Sequence, residues 1–210
     1  KGKLTNLGVL WLGTASQRSR LVYPLTVQYI VYDDLEKKVR KEDWQDYSKN
    51  PKELLLEIEK EAIELTYYDE FPLGLFRNKI RHYDARLIRE LLINAIAHKS
   101  YTISGDIFIK VYQDRLEITN PGGLPLGITK DNILHTTYRR NPHLIRILHD
   151  LKLMEGEGTG YNLIYEITSR DAKAFPIPIS DYNATSITQY SKILDEEAVL
   201  LLDFIAKNYQ

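Results

Sequence analysis

The sequence predicts an α+β fold, a two-layer sandwich in which a mixed, mostly antiparallel sheet is covered by helices on one face. Residues 21–32, 106–119 and 175–190 alternate apolar and polar side chains, as strands do. Residues 51–68 and 84–98 instead repeat apolar side chains at helical spacing. The 210 residues are 43% apolar and 27% charged, which suffices for one sizeable core with an appendage.

The first third of the chain predicts a strand, a charged segment and then a helix. An apolar stretch closed by glycine occupies residues 4–13, and the strand pattern follows. The charged run 33–49 is expected to be a solvated surface loop. Asn50 and Pro51 then supply a cap and a first-turn proline for a helix that should end near Tyr68.

The central part of the chain predicts a second helix followed by a hairpin. Residues 76–82 form a short strand pattern, after which Asp84 can cap a helix. The segment 106–119 predicts two strands that turn at Gln113 and Asp114, with alternate apolar residues on one face. A stop signal, the sequence NPGG, ends this hairpin.

The last third repeats these signals. Asn141 and Pro142 precede a short amphipathic helix over 144–151, and residues 161–170 have helical spacing after a glycine-rich stretch. The final strand pattern, 175–190, should turn at 181–183.

Charge and cysteine content exclude several classes of protein. The 28 basic and 29 acidic side chains nearly cancel, so no global positive field predicts nucleic acid as a ligand. The absence of cysteine excludes disulfides, thiolate metal sites and a cysteine nucleophile, and it agrees with a reducing cytoplasm. No apolar run of membrane-spanning length and no signal-peptide pattern is present, so we expect a cytoplasmic protein without membrane contact.

One helix carries a polar stripe that is the first candidate for chemistry. Arg86, Glu90, Asn94 and His98 are spaced by four, and each step of four advances only about 40° around a helix axis. The stripe is either a solvated face with an Arg-Glu pair or one wall of a cleft. Spacing alone does not decide between them.

Two glycine-rich segments are further candidates. The sequence TNPGGLP (119–125) directly follows a strand, where Gly122 and Gly123 either make a turn or let the main chain approach a ligand. The sequence EGEGTG (155–160) leads into a helix, so Gly158, Thr159 and Gly160 would offer main-chain amides and the helix dipole to phosphate oxygens.

The order of these three elements resembles the superfamily of gyrase, heat-shock chaperone, histidine kinase and mismatch-repair ATPases. ELLINAIAH (90–98) is similar to its first motif and GTGYNL (158–163) to its last. More narrowly, LTNLGVL (4–10), NAIAHKSY (94–101), ITNPGGLP (118–125) and RNP (140–142) resemble a family of bacterial regulators described as RecG-related ATP-dependent DNA helicases or transcriptional regulators. The resemblance covers residues 4 to about 190.

The resemblance implies roles for two residues of the stripe. Glu90 would orient or deprotonate the attacking water, and Asn94 would bind the Mg²⁺ that bridges the phosphates of ATP. His98 belongs only to the narrower pattern, and it either faces the same cleft or packs in the core.

The middle motif departs from the superfamily. Where the ATPases carry an aspartate that accepts a hydrogen bond from the adenine amine, this chain offers Asn120 or Thr119, depending on the alignment of the glycines. An amide oxygen accepts such a bond more weakly than a carboxylate does. Pro121 also replaces a more flexible position, so binding of nucleotide, and hydrolysis still more, should be weaker than in the ATPases.

The most basic local segment lies between the middle and last motifs. It comprises residues 135–143 with Arg146, His149 and Lys152, and it corresponds by resemblance to the lid over the phosphates. Arg139 or Arg140 would contact phosphate, of a nucleotide or of nucleic acid. The alternative is a solvated surface in which the arginines pair with acidic neighbours.

These observations give one leading hypothesis, a nucleotide-binding regulatory module that uses ATP and Mg²⁺ and is at most a weak ATPase. Motor helicase activity is not expected, because no Gly-x-x-x-x-Gly-Lys-Ser/Thr loop occurs. A surviving site requires Glu90, Asn94, Asn120, Gly122 and Gly158 to converge on one cleft. The rival hypothesis is a degenerate, non-enzymatic scaffold for dimerisation or DNA binding.

The ends of the sequence suggest a fragment of a longer protein, since the chain begins at Lys1 and residues 196–209 continue an apolar periodic pattern. We expect an ATPase-like core domain over 1–190 and, over 191–210, the start of a C-terminal winged helix. By resemblance, a Schlafen AlbA-type DNA-binding domain would precede the chain. DNA would therefore be contacted through flanking domains, and copies of the chain are expected to associate.

Overall fold

Six helices and eight strands follow one another in the computed structural model, which describes residues 3–73, 76–129, 132–133, 136, 138–154, 159–171, 173–191 and 201. The helices are α1 (Asn6–Leu12), α2 (Ala15–Arg18), α3 (Pro51–Glu61), α4 (Ala85–His98), α5 (Pro142–Asp150) and α6 (Thr159–Arg170). The strands are β1 (Val27–Tyr32), β2 (Lys38–Trp44), β3 (Tyr68–Leu73), β4 (Phe76–Arg81), β5 (Ile107–Val111), β6 (Arg115–Pro121), β7 (Ile179–Ser180) and β8 (Ala184–Tyr190).

A six-stranded sheet with the order β2-β1-β5-β6-β8-β7 forms one layer of the fold. Only the β1–β5 pair is parallel among its pairings, and the other four are antiparallel. Strands β3 and β4 form a separate antiparallel pair. The prediction of an α+β fold with a mixed, mostly antiparallel sheet is therefore confirmed.

Helix α4 is the centre of the helical layer. It packs on β6 and also contacts α3, α5 and α6. Nine of its fourteen residues are buried, which is more than one face of an amphipathic helix provides. Alternate residues of β5 and β6 face the helical layer, and Ile107, Ile109 and Val111 of β5 are buried in the core as predicted. The polar side chains of α4 are consequently held on a well-packed helix.

Local capping signals place the starts of α3 and α4 as predicted. The Asn50 side chain accepts hydrogen bonds from the main-chain N–H groups of Lys52 and Glu53, and the Glu53 carboxylate accepts one from the main-chain N–H of Asn50. At α4, the Asp84 carboxylate accepts from the main-chain N–H of Arg86. Both caps satisfy donors that a helix start otherwise leaves unpaired.

Three expectations need correction. Helix α3 ends at Glu61 rather than near Tyr68, because a short 3-10 turn follows and Tyr68 opens β3, which pairs with β4. The charged run 33–49 contains a strand, β2, at the edge of the large sheet. Its mostly exposed, charged side chains suit an edge strand, which must stay soluble on its open side. The first strand begins at Val27 rather than at residue 21.

Asn141 does not cap α5. Its side-chain amide instead donates to the carbonyl oxygens of Ala97 and Lys99, at 2.9 and 2.8 Å. The start of α5 is thereby fastened to the end of α4, a contact that a local signal does not reveal.

The C-terminal segment expected to begin a winged helix, 191–210, lies outside the described residues except for Ser191 and Leu201. Within the described part of the chain, no helix has both the length and the apolar character needed to cross a membrane.

Candidate functional site

A cavity of about 520 Å³ lies where α4, the end of β6, α5 and the start of α6 meet. Eight of the ten predicted site residues line it: Glu90, Asn94, His98, Asn120, Gly122, Gly123, Arg140 and Gly160. Gly158 lies outside the described residues, and of Thr159 only the main chain is described. Residues 70 positions apart in the sequence thus reach the same cavity.

The polar stripe of α4 runs from solvent into this cavity. Arg86 at its outer end is exposed and pairs with Asp84 at 3.2 Å. One turn further, Glu90 is buried, with 6% of its surface exposed. The Asn94 amide donates to Glu90 Oε1 at 3.0 Å. The outer end of the stripe is therefore solvated, although Arg86 pairs with Asp84 rather than with Glu90, and the part with Glu90 and Asn94 faces the cavity.

His98 ends α4 on the cavity wall rather than within the packed core. Burial lowers the pKa of its imidazole to about 4, and the positive charge of Arg140 contributes in the same direction. His98 is therefore neutral at neutral pH. A neutral imidazole offers one donor and one acceptor to a neighbour in the cavity.

Gly160, the second residue of α6, is packed directly against Glu90. A Cβ atom at this position would lie 2.8 Å from Cδ of Glu90 and would overlap its Oε1. Any side chain here would have to displace the Glu90 carboxylate. The glycine therefore allows α6 to start in contact with α4.

Asn120 rather than Thr119 lines the cavity at the middle motif. The Thr119 hydroxyl is paired with that of Ser186 at 2.8 Å on the neighbouring strand. The Asn120 amide donates to the carbonyl oxygen of Ala95 at 2.7 Å, a bond that a carboxylate does not make. Its own oxygen is buried without a hydrogen-bond partner among the described residues.

The glycine turn after β6 is held by main-chain contacts. Gly122 has a φ of 95°, and its N–H donates to the Asn183 carbonyl at 2.7 Å. Gly123 donates to the Tyr182 carbonyl at 3.3 Å. A side chain on Gly122 would strike Ser100 and Arg140. These glycines thus make a tight turn, and their N–H groups are already engaged within the protein.

Arg140 fastens this turn to α4. Its guanidinium donates to the carbonyl oxygens of His98 and Gly123. Burial lowers the pKa of Arg140. Its described bonds go to main-chain oxygens rather than to an acidic neighbour, and its contact with phosphate stays a prediction. Arg139 is exposed on the cavity rim, and His135 lies outside the described residues.

The remaining lining has an apolar floor and a basic rim. The apolar part includes Ile118 and Ile187 from neighbouring strands and Ile128 and Ile133 from the segment before α5. Sequence reasoning missed these residues, although pairing of the last strand with β6 would have brought Ile187 opposite Ile118. Helix α5 adds three basic side chains to the rim: His143, Arg146 and His149. Glu90 is the sole acidic side chain among the described lining residues, so the cavity suits an anionic ligand with an apolar part.

Comparison with known proteins gives a family for part of the chain. Residues 105–188 match a family model described as the C-terminal part of putative ATP-dependent DNA helicase RecG. This segment is therefore similar to the ATPase-like domain of RecG-related proteins. It contains Asn120, the glycine turn, Arg140 and Gly160, whereas α4 with Glu90, Asn94 and His98 precedes the matched residues. No curated protein matches the chain.

A solved structure extends the likeness in fold beyond the RecG-related segment. The crystal structure of the DIP2311 protein from Corynebacterium diphtheriae superposes with a TM-score of 0.74 at 19% identity. The match covers 99% of this chain and 46% of the other. This chain therefore spans about half the length of that protein, and the likeness shows a shared fold.

Proposed function

We propose that the cavity binds an adenine nucleotide together with Mg²⁺, and that the chain is the nucleotide-binding regulatory module of a RecG-related protein. The observation that carries this proposal is the convergence of Glu90 and Asn94 from α4, Asn120 from β6 and Gly160 from α6 on one cavity. These are the three elements from which the family resemblance builds a nucleotide site.

The phosphates would lie at the start of α6, where main-chain N–H groups and the helix dipole favour anions. Arg139 and Arg146 on the rim add positive charge near this cavity.

A metal ion in this cavity would have to be held partly by the bound nucleotide. No group of three or more acidic or histidine side chains suitable for a metal occurs within the described ranges, which argues against a metal held by protein side chains alone. The Asn94 amide nitrogen is engaged with Glu90, which leaves its oxygen, a hard ligand, for Mg²⁺. Mg²⁺ commonly takes one or two protein oxygens and completes its shell with phosphates and water, so the residues present fit the ion. Bound there, it would neutralise phosphate charge.

The base would lie on the apolar floor next to Asn120. A buried acceptor without a partner costs about 1–3 kcal/mol, and a donor of a ligand would recover this energy. The exocyclic amine of adenine is such a donor. This argument favours adenine over a base that presents only an oxygen at the same position.

Hydrolysis would depend on Glu90. Its carboxylate would accept a proton from the water that attacks the terminal phosphate. Since Asn94 already donates to this carboxylate, turnover should be slow. Binding and hydrolysis therefore have different requirements.

Calorimetric titration with ATP and Mg²⁺ tests the proposal. Asn94→Ala should abolish binding because it removes the metal ligand, whereas Glu90→Ala should retain binding and stop phosphate release. Asn6→Ala, an exposed change of the same type on α1, serves as the control and should leave both unchanged. Undetectable binding by the wild type at millimolar ATP would contradict the proposal.

One observation favours the second candidate, a scaffold without nucleotide. The N–H groups of Gly122 and Gly123 and the guanidinium of Arg140 are bonded within the protein, so this side of the cavity needs no ligand to satisfy it. In that case, light scattering should show association of copies, or DNA should bind to a chain that includes the flanking domains, while ATP has no effect on either. Contact with DNA through such domains is a part of the proposal that rests on the resemblance, whereas the proposed cytoplasmic location rests on the composition of the sequence.

A further inference from the structure

The described first turn of α6 carries no negatively charged side chain. This helix has 12 residues, and its first turn contains no aspartate or glutamate. The first N–H groups of a helix have no partner within the helix, and the aligned peptide dipoles place partial positive charge at that end. An anion supplied from elsewhere would therefore stabilise α6.

The Glu90 carboxylate lies against Gly160, the second residue of α6. It reaches α6 from the neighbouring helix, and Cδ of Glu90 lies 2.8 Å from the place where a Cβ of Gly160 would be. Only 6% of Glu90 is exposed, so solvent screens its charge little. The Asn94 amide holds one of its oxygens at 3.0 Å and fixes the orientation of the carboxylate.

We propose that the Glu90 carboxylate is an internal anion that caps α6 in the unliganded protein, and that the phosphates of a ligand compete with it for the start of this helix. The identity of the ligand rests on the proposed function, whereas the capping contact does not. Glu90 then restrains nucleotide affinity in addition to any part in hydrolysis.

Because the Glu90 carboxylate and the phosphates of ATP are both anionic, the affinity for ATP should depend on Mg²⁺. Phosphate oxygens brought next to the Glu90 carboxylate repel it, and in a buried place this repulsion is strong. Mg²⁺ at Asn94 would offset the repulsion. The carboxylate should therefore weaken binding of metal-free ATP more than binding of ATP with Mg²⁺.

Glu90→Gln tests this inference with little change of shape. The glutamine side chain can still accept the hydrogen bond from Asn94 but carries no charge. Glu166→Gln is the matched control, because Glu166 lies on the exposed face of α6 itself, away from the start of that helix. ATP affinity is measured by calorimetry for both variants and the wild type, in EDTA and in Mg²⁺.

The inference predicts that Glu90→Gln raises the affinity for ATP about three- to tenfold in EDTA and by a smaller factor in Mg²⁺. If the wild type binds ATP but Glu90→Gln binds it no more tightly in EDTA, the proposed competition is wrong. The control variant should bind as the wild type does.

Hydrogen exchange of the unliganded proteins tests the capping contact without nucleotide. Main-chain amides of α6 should exchange about three- to tenfold faster in Glu90→Gln than in the wild type or in Glu166→Gln. Equal exchange in all three proteins would refute the capping role. Faster exchange without ATP binding by any protein would refute the proposed function and uphold the cap.

Discussion

Replacing Lys99 by methionine should make the protein more stable at neutral pH. Lys99 follows α4 directly, is fully buried, and its ammonium has no hydrogen-bond partner among the described residues. Burial lowers its pKa from 10.5 to about 8, although the Asp106 carboxylate acts in the opposite direction. The folded protein thus carries an unfavourably placed charge.

The magnitude follows from this pKa. A fall from 10.5 to about 8 corresponds to about 3 kcal/mol of lost stability when Lys99 is charged. The ammonium lies 5.3 Å from the centre of the Tyr101 ring, a cation–π contact that returns about 1 kcal/mol. Methionine keeps the volume of the side chain, so the net gain at pH 7 should be about 2 kcal/mol.

The sign of the pH dependence is fixed by the direction of the pKa change. Below about pH 8, Lys99 is charged in both the folded and unfolded states, and the full cost is present. Between that pH and 10.5 the folded protein sheds the proton first, so the cost shrinks and then disappears. The advantage of Lys99→Met should therefore fall below about 1 kcal/mol at pH 10.

Urea unfolding of the wild type and the variant at pH 7 and pH 10 measures both quantities. Lys52→Met, an exposed change on α3, is the control and should shift stability by less than about 0.5 kcal/mol. The reasoning fails if Lys99→Met destabilises the protein at pH 7, or if its gain is the same at both pH values.

Three further variants test the site and its supports. Gly160→Ala should cost about 1–3 kcal/mol through its clash with Glu90, and Glu90→Ala in the same chain should restore most of it; strictly additive costs in urea unfolding would disprove the contact. Asn120→Asp should cost about 1–3 kcal/mol at pH 7, because a carboxylate would face the Ala95 carbonyl, and melting curves should show a smaller deficit at pH 4. Asp84→Ala should cost about 1 kcal/mol through loss of the α4 cap. Burial opposes ionisation of Asp84, but hydrogen bonds from two arginines outweigh it and hold the pKa of Asp84 well below the usual range. The stability that wild type has over Asp84→Ala should therefore persist above pH 4 and vanish only in strong acid. A difference in stability already lost near pH 4 would contradict this.

The features that sequence reasoning predicted well are those with local causes. The Asn50 and Asp84 caps, the alternation in β5 and the turn at Gly122 each depend on a few neighbouring residues. The convergence of the motifs on one cavity was also anticipated, through the resemblance rather than through spacing.

The features that sequence reasoning missed depend on distant contacts. Residues 68–73 form a strand because they pair with β4, and helical spacing upstream of them could not reveal that pairing. Asn141 is of a residue type that often caps helix starts, yet its amide donates to carbonyl oxygens more than 40 positions earlier in the chain. The bonds of Arg140 to main-chain oxygens likewise arise from tertiary structure.

The two ends of the large sheet constrain how copies of this chain can meet. At one border, β2 presents a row of lysine, arginine, glutamate and aspartate side chains, and at the other, β7 offers only two residues. A growing sheet needs a long, apolar border to which another strand can add. Neither border meets that requirement, so joining of sheets across molecules is disfavoured. Any assembly of these domains should therefore proceed through helices or through flanking parts of the protein.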